Sequence, residues 1–227
     1  MTSSEDPHTA WVARVVAGCG PEILSRFDPA SQRTMTFYPS SWLKWNPHDA
    51  DVTWAVDHYR KGIHRRDLWA LGRDLGTPMK RRRAFIATLL WGVGTTNRYY
   101  GRHAEALSSE DLEKILEETV KQITRDDLEG AWTTATRLPG LDYPFFTKWL
   151  WVAGVDARLD APPLVLDSQV RLGLQKTKWP FHTRRINDCQ RWVNYCIDAA
   201  AVGKELGVAS EWVEYWLFSG APGAPCE

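Results

Sequence analysis

The chain has 227 residues, enough for one large domain or two small lobes around a core, and its 44% hydrophobic and 25% charged content is that of an ordinary globular protein. No apolar run approaches the length of a membrane span, and the polar start Met1-Thr2-Ser3-Ser4-Glu5-Asp6 is no signal peptide, so a cytoplasmic protein is expected. The 28 basic and 28 acidic side chains cancel, which speaks against a polycationic nucleic-acid binder but leaves room for one positive face.

The first 50 residues read as an irregular segment packed on the rest, because Pro21, Pro29, Pro39 and Pro47 interrupt any long helix. Short elements are expected at 10–17 and 21–27. From Val52 the pattern is helical, and residues 51–227 read as one helical domain. Helices are predicted at 52–59 and 68–75, then at 80–91, where Phe85, Ile86, Leu89 and Leu90 recur at helical spacing. Gly92-Val93-Gly94 ends that helix. Ser108 is expected as an N-cap, with Asp111 completing a capping box. Leu112, Ile115, Leu116, Thr119, Val120 and Ile123 then form one apolar stripe, and a helix at 126–136 turns Leu128, Ala131, Trp132 and Ala135 inward. A core helix is expected around Trp212, Trp216, Leu217 and Phe218. Leu164-Val165-Leu166 is the one extended candidate, so the chain reads as all-α.

Two stretches are rich in cations: 58–83, with Arg65, Arg66, Lys80, Arg81, Arg82 and Arg83 among them, and 176–185, with Arg184 and Arg185. They are the expected source of a positive face. The four cysteines form no CxxC pair and no compact cluster with histidine, so a zinc site is not expected. His64, His103 and His182 read as surface residues.

The most informative stretch runs from Asp127 to Gln175. A helix stops at Arg137, and Leu138-Pro139-Gly140-Leu141-Asp142-Tyr143 makes a tight turn. Pro144 suits the start of an apolar helix over 145–153, closed by Gly154. Helix, glycine-containing turn, helix is a way to offer backbone N–H groups to a phosphate. Downstream, Ala161-Pro162-Pro163 and an apolar tripeptide lead to Asp167, at or near the N-cap of another helix. By itself Asp167 needs no explanation beyond capping. In an apolar setting at the positive end of a helix, it can also stabilise a sugar cation or activate water.

Leu138-Pro139-Gly140, the helix after it and the Pro-containing loop ending in Asp167 resemble the helix-hairpin-helix superfamily of DNA glycosylases. The segment Trp91-Gly92-Val93-Gly94-Thr95-Thr96-Asn97-Arg98-Tyr99-Tyr100-Gly101-Arg102 and Pro144-Phe145-Phe146-Thr147-Lys148 look like a compact bacterial branch akin to 8-oxoguanine DNA glycosylases. The resemblance spans roughly 68–218. It implies an all-α, two-lobed domain that flips a modified base out of duplex DNA and cuts its N-glycosidic bond. Gly140, Leu141, Asp142 and Tyr143 would then contact a backbone phosphate, directly or through a monovalent cation. Asn97, Arg98 and Arg184 would add DNA contacts, and Asp167 would be the catalytic carboxylate. A monomer with no required cofactor is expected. The base is read either as an oxidised purine such as 8-oxoguanine, meaning repair, or as a hypermodified pyrimidine of phage DNA, meaning antiviral defence. Side chains recognising it would come from the C-terminal helix or from Tyr195.

Three departures qualify the resemblance. Asp142 replaces a glycine, and it is expected to tolerate a left-handed backbone there. The position of the family's Schiff-base lysine holds Pro144, which favours a monofunctional enzyme using water. Lys148, one turn later, either substitutes for that lysine, with Phe146, Trp149 and Trp151 drying its surroundings, or binds a phosphate. The cysteine cluster of the iron–sulfur branch is absent. The alternative is a non-catalytic DNA-binding module in which Asp167 only caps its helix.

Overall fold

The computed structural model describes residues 6–96, 98–180 and 188–221. Among them are thirteen α-helices: α1 (Pro7–Gly18), α2 (Pro21–Leu24), α3 (Pro39–Trp45), α4 (Ala50–His58), α5 (Arg65–Gly72), α6 (Pro78–Val93), α7 (Tyr100–Leu107), α8 (Leu112–Thr124), α9 (Leu128–Ala135), α10 (Tyr143–Ala153), α11 (Ser168–Lys176), α12 (Cys189–Leu206) and α13 (Ser210–Phe218). A 3-10 turn covers Pro29–Ser31, and the described residues hold no strand, only an isolated bridge between Met35 and Ile63. The fold is all-α. No described helix is long and apolar enough to cross a membrane.

The first 50 residues are more helical than their prolines suggest. Pro7, Pro21 and Pro39 each stand in the first turn of a helix, where the missing N–H has no partner to lose and the fixed φ suits the helix. These prolines start helices rather than break them. A second difference is α7. Ser108, expected to begin a helix, closes this one: its N–H donates to the Ala104 carbonyl and its hydroxyl to the Glu105 carbonyl at 3.0 Å. Asp111 stands at the N-cap of α8 without a capping bond, so no capping box forms.

The chain divides into two units, Gln32–Arg158 and a second made of Met1–Ser31 with Leu159–Glu227. In the first, α6 is the central helix. It is buried on all sides from Ala84 to Trp91 and packs against α4, α5, α8 and α10. The stripes read for α8 and α9 are buried, save Val120, which is half-exposed. Gly72 of α5 lets that helix approach α10: a Cβ there would lie 2.4 Å from the Val152 carbonyl oxygen.

The cations at the head of α6 are tethers rather than an open face. Arg81, 8% exposed, is paired with Glu113 of α8. Arg82 is paired with Asp49, Arg83 bonds Asp51 at 2.8 Å, and Lys80 bonds Asp74 at 2.7 Å. Arg65 is 1% exposed, its guanidinium 4.4 Å from the Trp151 ring. The physical reason is that α6 is enclosed by its neighbours, so Arg81, Arg82 and Arg83 find carboxylates of α8 and of the start of α4, while Lys80 turns to Asp74 in the loop before α6.

In the other unit α13 packs on α2, α11 and α12, and α1 packs on α12. A buried carboxylate ties α1 to α12: Asp198, 3% exposed, faces His8 Nδ1 at 2.8 Å and accepts from Trp179 Nε1 at 2.7 Å. Burial pushes the Asp198 carboxyl up, against the lowering effect of these two bonds.

Candidate functional site

The hairpin is built as its glycine requires. Between α9 and α10, Gly140 adopts φ +70°, in the left-handed region. A Cβ there would lie 2.5 Å from the Arg102 carbonyl oxygen and 3.0 Å from Glu105 Oε2, so the turn sits directly on α7. Glycine is thus needed twice over, for its torsion and for the approach. Asp142 is the N-cap of α10 with φ −91° and ψ 163°, an extended conformation. The expectation of a left-handed Asp142 is corrected: extended backbone is what an N-cap adopts, and any residue tolerates it. Its carbonyl accepts from the N–H groups of Phe145 (2.9 Å) and Phe146 (3.3 Å). Among the described residues, the N–H groups of Gly140, Leu141 and Asp142 donate to no backbone carbonyl. Three consecutive N–H groups at the positive end of α10 can serve an anion. Leu141 is buried and Tyr143 half-buried, so in this turn the backbone and Asp142 are the groups most open to a partner.

One arginine reaches the turn, and a second precedes the helix beneath it. Arg98 is exposed just before α7, and Arg102 of α7 is exposed and pairs with Asp142 at 3.2 Å. Arg102 stands in the resembling segment without a role, because α7 is hidden in the sequence: its buried positions are Tyr100, His103, Ala106 and Leu107, and polar rings mask the apolar period. His103, expected at the surface, is wholly buried among Trp42, Tyr99 and Phe145. Neither ring nitrogen has a hydrogen-bond partner among the described residues, and burial pushes its pKa down to about 3. His64 caps α5, accepting from the Arg66 N–H at 3.2 Å. Asn97, His182, Arg184 and Arg185 lie outside the described residues.

Lys148 is buried, at 6% exposure. Its ammonium donates to the Pro144 carbonyl at 2.9 Å and lies 5.8 Å from the Trp91 ring and 5.9 Å from that of Phe145. Gly92 of α6 makes room: a Cβ there would come within 3.1 Å of the lysine stem. Trp91 and Phe145 thus stand among the neighbours of this lysine, and Trp151 stacks on the same Trp91 ring. A helical side chain lies over residues three and four earlier, here Phe145 and Pro144. Phe146 turns to Trp132, Trp149 to Phe85 and the Thr119 hydroxyl, and Trp151 to Trp91 and Arg65.

In the other unit, Asp167 caps α11. Its Oδ1 accepts from the N–H groups of Gln169 (3.0 Å) and Val170 (3.1 Å). The residue is half-buried, at the end of the fully buried Leu164-Val165-Leu166. A carboxylate fixed at a helix N-terminus can stabilise a developing positive charge. Tyr195, a candidate for base recognition, is 0% exposed, and its hydroxyl points at the Val165 carbonyl (3.4 Å). That reading is corrected: the spacing of Trp192, Tyr195 and Cys196 on α12 makes them a core face.

Among the described residues no three His, Cys, Asp or Glu side chains converge to hold a metal. No curated protein and no solved structure matches the chain. A family model described as "Putative 8-oxoguanine DNA glycosylase OGG-like protein" matches residues 28–218, a span that holds the hairpin, Lys148 and Asp167 and reaches further towards the N-terminus than the resemblance seen in the motifs. The chain belongs to this OGG-like family.

Proposed function

We propose that the protein is a monofunctional DNA glycosylase that excises 8-oxoguanine from duplex DNA. What supports the reading is the coincidence, inside the family's span, of a hairpin that offers N–H groups at a helix start and a capped carboxylate at Asp167. The hairpin holds a backbone phosphate by hydrogen bonds and helix dipole, contacts that position the duplex without reading its sequence. Arg98 and Arg102 add charge that attracts the backbone. The damaged nucleotide turns out of the stack, since the glycosidic bond is inaccessible within it.

The C1′–N9 bond then lengthens towards an oxocarbenium-like sugar, and the negative charge of Asp167 stabilises it. Water adds its oxygen to C1′, its proton passes to Asp167 or solvent, and the departing base takes up a proton. The products are free base and an intact abasic site. Pro144 occupies the position where the resemblance would place an amine nucleophile, and the Lys148 ammonium is turned to the Pro144 carbonyl, which together favour water.

The test is a panel of duplexes carrying 8-oxoguanine, unmodified guanine or a glucosylated hydroxymethylcytosine, treated with protein and then alkali. Strand breaks at 8-oxoguanine that appear only after alkali are expected. Asp167→Asn keeps the shape and loses the charge, so it should bind DNA and release at least about 100-fold less base, the scale of losing one electrostatic stabiliser. Release from the hypermodified duplex alone would move the role to antiviral defence. No release from any duplex, with intact binding, would leave a DNA-binding module.

A further inference from the structure

The three residues that lead to Asp167 are an unusual piece of backbone. Leu164, Val165 and Leu166 are 0%, 2% and 0% exposed, yet they belong to neither helix nor strand. Buried peptide groups outside a regular ladder need other partners. Here side chains of α12 and α13 supply them. Trp192 Nε1 donates to the Leu164 carbonyl at 2.9 Å. The Tyr195 hydroxyl donates to the Val165 carbonyl, and the Val165 N–H donates to Glu214 Oε2, both at 3.4 Å. These three side chains are themselves 0%, 0% and 1% exposed. A core needing only bulk would use apolar residues, because a buried carboxylate is costly. All three meet one short segment, and that segment ends at Asp167.

We infer that Trp192, supported by Tyr195 and Glu214, is a positioning residue for Asp167: it fixes the peptide that delivers the carboxylate to the head of α11. The inference rests on the catalytic role proposed for Asp167. Each extended residue advances about 3.3 Å, so the Trp192 bond lies within about 10 Å of the carboxylate along the chain. If the Leu164 peptide rotates, Asp167 moves, and its bonds to Gln169 and Val170 weaken with it.

Trp192→Phe keeps an aromatic ring and removes the donor. Two measurements on the full chain test it. Hydrogen exchange should be about tenfold faster at the Gln169 and Val170 amides, while amides of α8 keep their rates. Base release from an 8-oxoguanine duplex in single turnover should slow about tenfold with unchanged DNA affinity, short of the hundredfold that a full 1 Å misplacement costs. In an Asp167→Asn background the same change should slow nothing further, because the two act as one unit. Glu214→Gln retains an acceptor for Val165 and should keep the wild-type rate, whereas Glu214→Leu should slow release. Unchanged exchange at Gln169 and Val170, or equal slowing with and without the Asp167 carboxylate, overturns the positioning role and leaves the glycosylase standing. Full release by Asp167→Asn overturns both.

Discussion

Replacing Gly140 by alanine separates the two demands made on the hairpin glycine. Gly207, the C-cap of α12, has nearly the same torsion, φ +68°, but a Cβ there would meet nothing within 4 Å. Gly207→Ala should therefore cost only the left-handed backbone penalty, about 1–2 kcal/mol. At Gly140 the added carbon would also press on the Arg102 carbonyl, backbone that cannot swing aside, and overpacking adds roughly 1–3 kcal/mol. The expected loss is thus about 2–5 kcal/mol. To regain van der Waals contact the turn must back away from α7 by roughly 1 Å, enough to break an N–H to phosphate bond. Such charge-assisted bonds are worth about 1.5–3 kcal/mol, so duplex affinity should fall about 10- to 100-fold. Urea unfolding gives the first quantity and fluorescence anisotropy with a labelled duplex the second. If Gly140→Ala costs no more than Gly207→Ala and binds DNA as wild type does, the hairpin is neither packed on α7 nor the phosphate site.

Two other outcomes are expected. The unfolded chain protonates His103 near pH 6.5 and the folded chain only near 3, so stability is full above about 6.5 and falls as pH drops through that window, by at most about 1.4 kcal/mol per unit. His103→Leu should flatten this slope between pH 7 and 4.5 in urea titrations, and an unchanged slope would assign it to other groups. Lys148→Met keeps the stem against Trp91 and Phe145 and removes the amine. Base release should persist, and borohydride should trap no adduct with either protein. A trapped complex that vanishes in Lys148→Met would make the enzyme bifunctional.

Much of the site was readable from local pattern. Asp167 caps its helix because an Asp after a Pro-rich loop, before a helical period, has few better uses for its oxygens. Gly140 took its left-handed torsion because the turn between two close helices needs one. The misreadings share a cause. Ser108 resembled a helix start but bonded backwards to Ala104 and Glu105, and local chemistry does not choose between two helices that compete for one cap. Pro21 and Pro39 resembled breakers because their cost depends on whether they stand inside a helix or at its first turn.

Sequence alone determined the all-α class, the apolar faces of α8, α9 and α10, the tight turn at Gly140 and the cap at Asp167, since each depends on residues within a turn or two of one another. Tertiary structure decided which charges are open. Lys80, Arg81, Arg82 and Arg83 look like a DNA-facing run, yet each is paired with a carboxylate, and partners such as Asp49 and Glu113 lie far along the chain. It also decided that Lys148 faces Trp91, that His103 is buried, and that Trp192 and Glu214 serve the peptide before Asp167. A helical period says which side of a helix is apolar. Which helix covers that side, and which polar atoms end up beneath it, follows only when the whole chain has packed.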